Sequence, residues 1–236
     1  MRLYVEDFVS PEIGPSSEVA LDKDRSHYLC RVRRAANGDV LTLFDGLGNV
    51  AHATLVLADK RAALVRIDTL EKTPAEEVQL SLLLCHIKGD AADRALQKSV
   101  ELGVSQIHLL ASSRSNVAHT EKRMQHLQRV TISACEQCGQ NYLPQLHLEN
   151  TLEDVLTTAR ANGLQIVCLQ PGSPPLPANL PRRHTLVCIG PEGGWSDEEL
   201  TLFDPATLAG LGDLVLRAET APLAALAAIR GGWGWR

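Results

Sequence analysis

No stretch of the 236-residue chain approaches the ~20 consecutive apolar residues of a bilayer-spanning helix. The opening run MRLYVEDFVS carries acids where a signal peptide needs an unbroken apolar segment, which predicts a cytosolic protein. Signals for cysteine chemistry are sparse. Cys30, Cys85, Cys168 and Cys188 stand alone, the last three inside apolar runs, as reduced buried thiols do. Cys135-Glu-Gln-Cys138 is a lone CxxC with neither a second pair nor an HxxxH partner, short of the four ligands that a zinc site needs. Its plain reading is one packed and one half-exposed residue on a helix, and no metal is expected. The net charge of −5 argues mildly against nucleic acid, but phosphate binding follows local patches more than totals. Arg25, Arg31, Arg33 and Arg34 form one such patch. Lys88, Arg94, Lys98, Arg114, Lys122, Arg123 and Arg129 outnumber the acids in another stretch. On charge alone, ordinary solvated surface is the slightly favoured reading of both.

Apolar residues make up 44% of the chain, enough for a folded core. Two textures follow one another. Residues 1 to about 72 read as short strands, "DVLTLFD", "NVAHATLVLA" and "AALVRIDTL", separated by turn signals at Asn37-Gly38, Asp45 to Gly48 and Asp59-Lys60. That is the pattern of a small antiparallel barrel. "RSHYLCRVRR" reads as a short helix with a basic face. "EKTPAEE" (Glu71 to Glu77) is a linker. From residue 73 to 236 strands and helices alternate, as in an α/β domain with a largely parallel sheet covered on both faces. "LGDLVLR" (Leu211 to Arg217) is expected as its last strand, and "QPGSPPLPANLPRR" as a proline-rich surface loop.

One loop stands out: "CIGPEGGWSDEEL", Cys188 to Leu200. It is neither GxxxxGK(S/T) nor GxGxxG, so P-loop and ordinary dinucleotide binders are poor matches. Ser196 and Glu199 make a capping box, and Asp197 and Glu198 add charge to the first turn. A helix end so occupied repels a polyphosphate. The glycines let backbone groups approach a flat or cationic ligand closely; a nucleoside carrying a sulfonium fits those terms. Taken alone, the stretch is equally a tight turn before a well-capped helix. Farther on, "LGDLVLRAETAPLAALAAIR" sets a charged Arg217-x-Glu219 before an alanine- and leucine-rich helix. Such a pair is costly at a buried element unless paired or used. Thr220 is expected to cap that helix, and the helix to pack against another helix or another subunit.

"IGPEGGWSDEE" followed by "LGDLVLRAETA" resembles the RsmE-type family, rRNA uridine-N3 methyltransferases of the SPOUT (trefoil-knot) superfamily. "HYLCRVRRAANGDVLTLFDGLGN", "QKSVELGVSQI", "SSRS" and "ACEQCGQNYLP" resemble the family's other blocks in the same order. The resemblance implies a PUA-like RNA-binding β-barrel over residues 1–72 and a SPOUT methyltransferase domain over 73–236. It implies S-adenosylmethionine held by Leu169, Gln170, Ile189, Gly190, Glu192, Gly193, Gly194, Leu211, Gly212, Leu214 and Leu216. A homodimer is implied too, with the C-terminal helix near the interface. The family usually has Arg where this chain has Gln140, and the tail "GGWGWR" matches none of its blocks.

The implied reaction methylates N3 of a uridine in 16S rRNA of the small ribosomal subunit. Arg217 is the candidate for stabilising charge on the uracil oxygens, and Glu219 for taking the N3 proton or holding Arg217. Arg25, Arg31, Arg33 and Arg34 on the barrel, and Arg114 near the active site, are candidates for RNA contact. Competing readings are a knotted enzyme acting on another base or a ribose 2′-O, and an RNA-binding module without catalysis. An unrelated nucleotide-using enzyme is disfavoured by the missing phosphate loop.

Overall fold

Turn residues divide the N-terminal region into strands much as the sequence suggests. The computed structural model describes residues 1–6, 8–9, 13–85, 87, 89–110 and 121–235. Within it, β1 (Arg2–Tyr4), β2 (Glu18–Ala20), β3 (Val40–Phe44), β4 (Asn49–Leu57) and β5 (Leu64–Lys72) form one sheet in the order β1-β3-β4-β5-β2. Side chains alternate as strand geometry requires: Leu41, Leu43, Ala51, Ala53 and Leu55 are buried, whereas Thr42, His52 and Thr54 are not. The sheet is a curled half-barrel. It is antiparallel except at one edge, where β1 runs parallel to β3. α1 (Lys23–His27), capped by Asp22, runs into a π turn at Tyr28–Val32 that places Leu29 in the core with Leu43, Leu55 and Ile67.

The chain divides into two units, Met1–Ala75 with Cys135–Leu143 and Glu76–Ala134 with Pro144–Arg236. α3 (Glu121–Cys138) spans that division, its last turn belonging to the first unit. The second unit holds β6 (Leu80–Cys85), β7 (Gln106–Leu110), β8 (Gln145–Glu149), β9 (Gln165–Leu169), β10 (Thr185–Ile189) and β11 (Leu208–Ala209). They pair in the order β11-β9-β10-β6-β7-β8, every pair parallel. β6, β9 and β10 are buried at every residue, which explains why they read as unbroken apolar runs and not as alternations. β8 and α4 (Leu152–Ala161) are elements that the sequence reading did not single out. In β8 no residue is fully buried, so its apolar signal is weak.

The helices are closed by identifiable contacts. α2 (Asp90–Glu101) ends at Gly103, whose φ of +78° suits glycine. The Arg230 guanidinium donates to the carbonyls of Leu102 and Gly103 and pairs with Glu76 at 3.0 Å. Arg230 belongs to α6 (Ala221–Gly232), which packs on α2 and β10 and buries Ala225, Leu226 and Ile229. Among the described residues no helix is long and apolar enough to cross a membrane.

Two expectations need correction. "LGDLVLR" is not a strand: the sheet's edge is the two-residue β11, and the chain leaves it at Gly210. Gly210 donates to the Pro174 carbonyl at 2.7 Å and accepts from the Leu176 amide at 2.9 Å. Its backbone is thus engaged by the proline-rich loop, and Leu211 onward diverges. Leu214 and Val215, each 81% exposed, are apolar without being sheet residues. Thr220 makes no side-chain cap; the Arg217 carbonyl instead accepts from the amides of Thr220 and Ala221 at 2.9 and 3.0 Å. The unmatched tail also acquires a place. The Cβ of any larger residue at Gly232 would lie 2.6 Å from the Ala178 carbonyl oxygen, and Trp233 Nε1 donates to the Leu180 carbonyl at 3.0 Å. The end of α6 therefore holds down the proline-rich loop.

Candidate functional site

Parallel pairing sets Leu169, Ile189 and Ala209 side by side as the last residues of β9, β10 and β11. Three chain segments therefore leave the sheet at one edge and diverge. Open parallel sheets bind ligands in such crevices at the carboxyl ends of their strands. Here a crevice open to solvent lies at those ends. Leu169, Gln170 and Pro171 line it from the first segment. Ile189, Gly190, Pro191, Glu192, Gly194 and Trp195 line it from the second. Ala209, Leu211, Gly212, Leu214, Val215, Leu216, Ala218 and Ala221 complete it.

Backbone geometry shapes these walls. The Gly194 amide donates to the Pro191 carbonyl at 2.8 Å, and Gly194 and Gly212 have φ of +71° and +105°. At both glycines the position of a Cβ is open, with no protein atom within 4 Å, so a ligand can lie against bare main chain. The adjoining α5 (Asp197–Thr201) carries the capping box: Ser196 Oγ accepts from the Glu199 amide at 3.1 Å, and Glu199 Oε2 accepts from the Ser196 amide at 2.7 Å. That helix end is occupied by its own side chains, as the sequence suggests.

Among the described residues the lining contains one ionisable residue, Glu192, and no lysine, arginine or histidine. A triphosphate would find no counter-charge among them. One polar atom is conspicuous. Gln170 donates its backbone N–H to the Ala209 carbonyl at 2.9 Å, yet its buried side-chain Oε1 has no hydrogen-bond partner among the described residues. An acceptor left without a donor in a cleft is costly until a ligand donates to it. An apolar slot with exposed glycine main chain and one waiting acceptor fits an adenosine-type cation.

Ten of the eleven residues expected to hold the cofactor line this crevice; Gly193 does not. Pro171, Pro191, Trp195, Ala209, Val215, Ala218 and Ala221 line it without having been singled out. Trp195, next to the quoted glycines, was the one most open to discovery from sequence. Arg217 and Glu219 flank the lining residue Ala218 but do not line the cleft themselves. Arg217 is exposed and Glu219 half-buried, and among the described residues neither forms an ion pair. A structural Arg217–Glu219 bridge is therefore absent.

The arginines of the first unit divide. Arg25 is engaged: Nε donates to the Tyr4 carbonyl at 2.7 Å, Nη1 pairs with Asp22 at 3.1 Å, and the guanidinium lies 5.3 Å from the Tyr4 ring centre. Arg31, Arg33 and Arg34 are exposed on the turn that follows. Arg114 lies outside the described residues. At the position where the family usually has Arg, Gln140 offers its main-chain carbonyl to Arg2 Nη2 at 3.0 Å, and Arg2 also bonds Asn141 and stacks 4.2 Å from the Phe44 ring centre. Burial holds the Arg2 pKa below its ordinary value. Nearby, Glu136 accepts from the Tyr4 amide at 3.0 Å, and burial raises its carboxyl pKa despite the surrounding arginines.

A family model described as an RNA methyltransferase domain matches residues 74–230, and one described as an RNA methyltransferase PUA domain matches residues 21–68. The chain belongs to the RNA methyltransferase family. The methyltransferase is 32% identical over 234 residues, 94% of its chain and 75% of the relative, to the ribosomal RNA small subunit methyltransferase E of Synechocystis. Among solved structures, the Neisseria gonorrhoeae ribosomal RNA small subunit methyltransferase E bound to S-adenosyl methionine superposes with a TM-score of 0.86 at 30% identity, covering 98% of this chain and 96% of that one. A Legionella pneumophila protein in complex with the cofactor SAM superposes with a TM-score of 0.85 at 30% identity, over 98% and 96% of the two chains.

Proposed function

We propose that this methyltransferase transfers the methyl group of S-adenosylmethionine to N3 of a uridine in the 16S rRNA of the small ribosomal subunit. The observation that carries the cofactor reading is the cation-free crevice with the unpartnered Gln170 Oε1. S-adenosylmethionine would supply a sulfonium methyl group there. The chain's own task is to align the nucleophile, exclude water and handle charge. The main chain around Gly194 and Gly212 and the Gln170 side chain would hold the cofactor, with Leu169, Ile189 and Leu216 as the apolar walls. Arg217, in no ion pair among the described residues and adjacent to the lining, meets the negative charge that spreads to uracil O2 and O4 when N3 loses its proton. Glu219, two residues on, accepts the N3 proton.

Exposed Arg31, Arg33 and Arg34 contact rRNA phosphates, and Arg114 is a further candidate for RNA contact. Arg25 orients the turn that bears the other arginines. The target base is unstacked to reach the crevice. A homodimer would cover exposed Leu214 and Val215 at the rim of the crevice, with α6 near the interface. The working compartment is the cytoplasm, where free thiols such as the six cysteines persist. The deciding experiment incubates small subunits lacking the modification with the protein and labelled S-adenosylmethionine, and maps the product nucleoside by mass. N3-methyluridine at a single position is expected; a 2′-O-methyl product or another base sinks the reading.

A further inference from the structure

The crevice is built from separate loops, and something must hold them in register. Trp195 is 5% exposed and touches two of them. Its Nε1 donates to the carbonyl of Leu169, the last residue of β9, at 3.3 Å. Its ring lies so close to Gly190 that a Cβ there would stand 3.1 Å from the indole. Phe203 backs the ring, with centroids 5.3 Å apart. Leu169 precedes Gln170, whose side-chain oxygen awaits a donor; Gly190 precedes the turn ending at Gly194. One indole thus ties the end of β9 to the loop after β10, from within the crevice wall.

We propose that Trp195 is a positioning residue of the cofactor site: it fixes the spacing between the Gln170 acceptor and the main chain of Gly190 to Gly194. This rests on the S-adenosylmethionine reading given above. The physical reason is pre-organisation. Loops free to open sample many spacings, and a ligand must select the competent one, which weakens apparent affinity by the fraction lost. The indole N–H donates to a carbonyl at a strand end, and the ring fills the space that glycine leaves at position 190. A Phe keeps the ring and discards the donor, so the two functions of Trp195 can be separated.

The test uses the full chain. Hydrogen exchange of the ligand-free protein is compared for the parent chain, Trp195→Phe and Trp195→Leu, alongside calorimetric affinity for S-adenosylhomocysteine. In Trp195→Phe the amides of Gln170 and of Gly190 to Gly194 should exchange at least about fivefold faster, with those of β6 and α2 unchanged. Affinity should fall about tenfold, the loss of one buried hydrogen bond, and further in Trp195→Leu. Parent-like loop exchange in Trp195→Phe overturns the proposal. So does faster exchange throughout the fold with a lowered melting temperature, which marks an ordinary core residue. Loosened loops with parent-like affinity also overturn it. A parent chain that binds no S-adenosylhomocysteine sinks the cofactor reading itself, and is recognised before any variant is compared.

Discussion

Among the described residues the crevice at the ends of β9, β10 and β11 has one ionisable lining residue, Glu192, whereas the turn after α1 exposes Arg31, Arg33 and Arg34 in close succession. On the proposed function, the first would recognise by shape, through glycine main chain, apolar walls and a single side-chain acceptor. The second would recognise by charge on long side chains. The two should fail differently when altered. Steric and backbone changes should damage the crevice at any salt concentration, while charge changes should damage the arginine turn in a salt-dependent way.

The largest effect expected from breaking this contrast is at Arg217. Arg217→Ala should lower turnover by about 10³-fold, as for loss of a transition-state donor, with S-adenosylmethionine affinity within about twofold of the parent chain. Calorimetry together with single-turnover kinetics reads both; loss of cofactor binding would remove Arg217 from the catalytic role. Next is Gly212→Ala. At φ +105° a side chain costs about 1–3 kcal/mol. Cofactor affinity should fall by about tenfold or more with no change in RNA affinity or salt slope.

Arg31→Glu with Arg34→Glu should do the opposite. RNA affinity should drop, and the slope of log affinity against log salt should fall by about 1.5 units for two lost phosphate contacts, with cofactor binding intact. An unchanged slope would overturn the role of this turn. Arg25→Gln is the control: its guanidinium is engaged with Tyr4 and Asp22, so its loss should show mainly as a lower melting temperature. The smallest effect concerns thiols. Burial pushes the Cys135 and Cys168 thiols up to about 12, while Cys138 is exposed. At pH 8 an alkylating reagent followed by mass spectrometry should mark Cys138 and spare the other two. Their thiolate fraction rises about tenfold per pH unit until their pKa is reached.

Much of this architecture was legible because local rules and global fold agree. The capping box at Ser196 and Glu199 needs only residues three apart. The buried strands β6, β9 and β10 announce themselves because both faces must be apolar. The chain divides after Ala75, within the stretch Glu71 to Glu77 expected as a linker, although Glu71 and Lys72 belong to β5. Other features were misread for reasons equally physical. Leu211 to Arg217 has a strand's composition because its apolar residues face a crevice or stand exposed, and periodicity alone does not distinguish a crevice wall from a sheet. Thr220 has a cap's chemistry but a helical backbone, φ −89° and ψ −35°, so its hydroxyl is not the group that closes the helix. β1 escaped notice because three residues carry too little pattern.

What the sequence determined by itself is the set of interactions that close within a few residues: caps, turns, burial periodicity and the glycines that bare the main chain. What only the tertiary structure decided is which distant groups become neighbours. The Trp195 indole meets the Leu169 carbonyl across 26 positions, Arg230 meets the end of α2 across 128, and Arg25 is consumed by Tyr4. Such contacts depend on the path that the chain takes through its sheets and helices, and no local preference encodes a meeting between groups that are near only after the chain has folded.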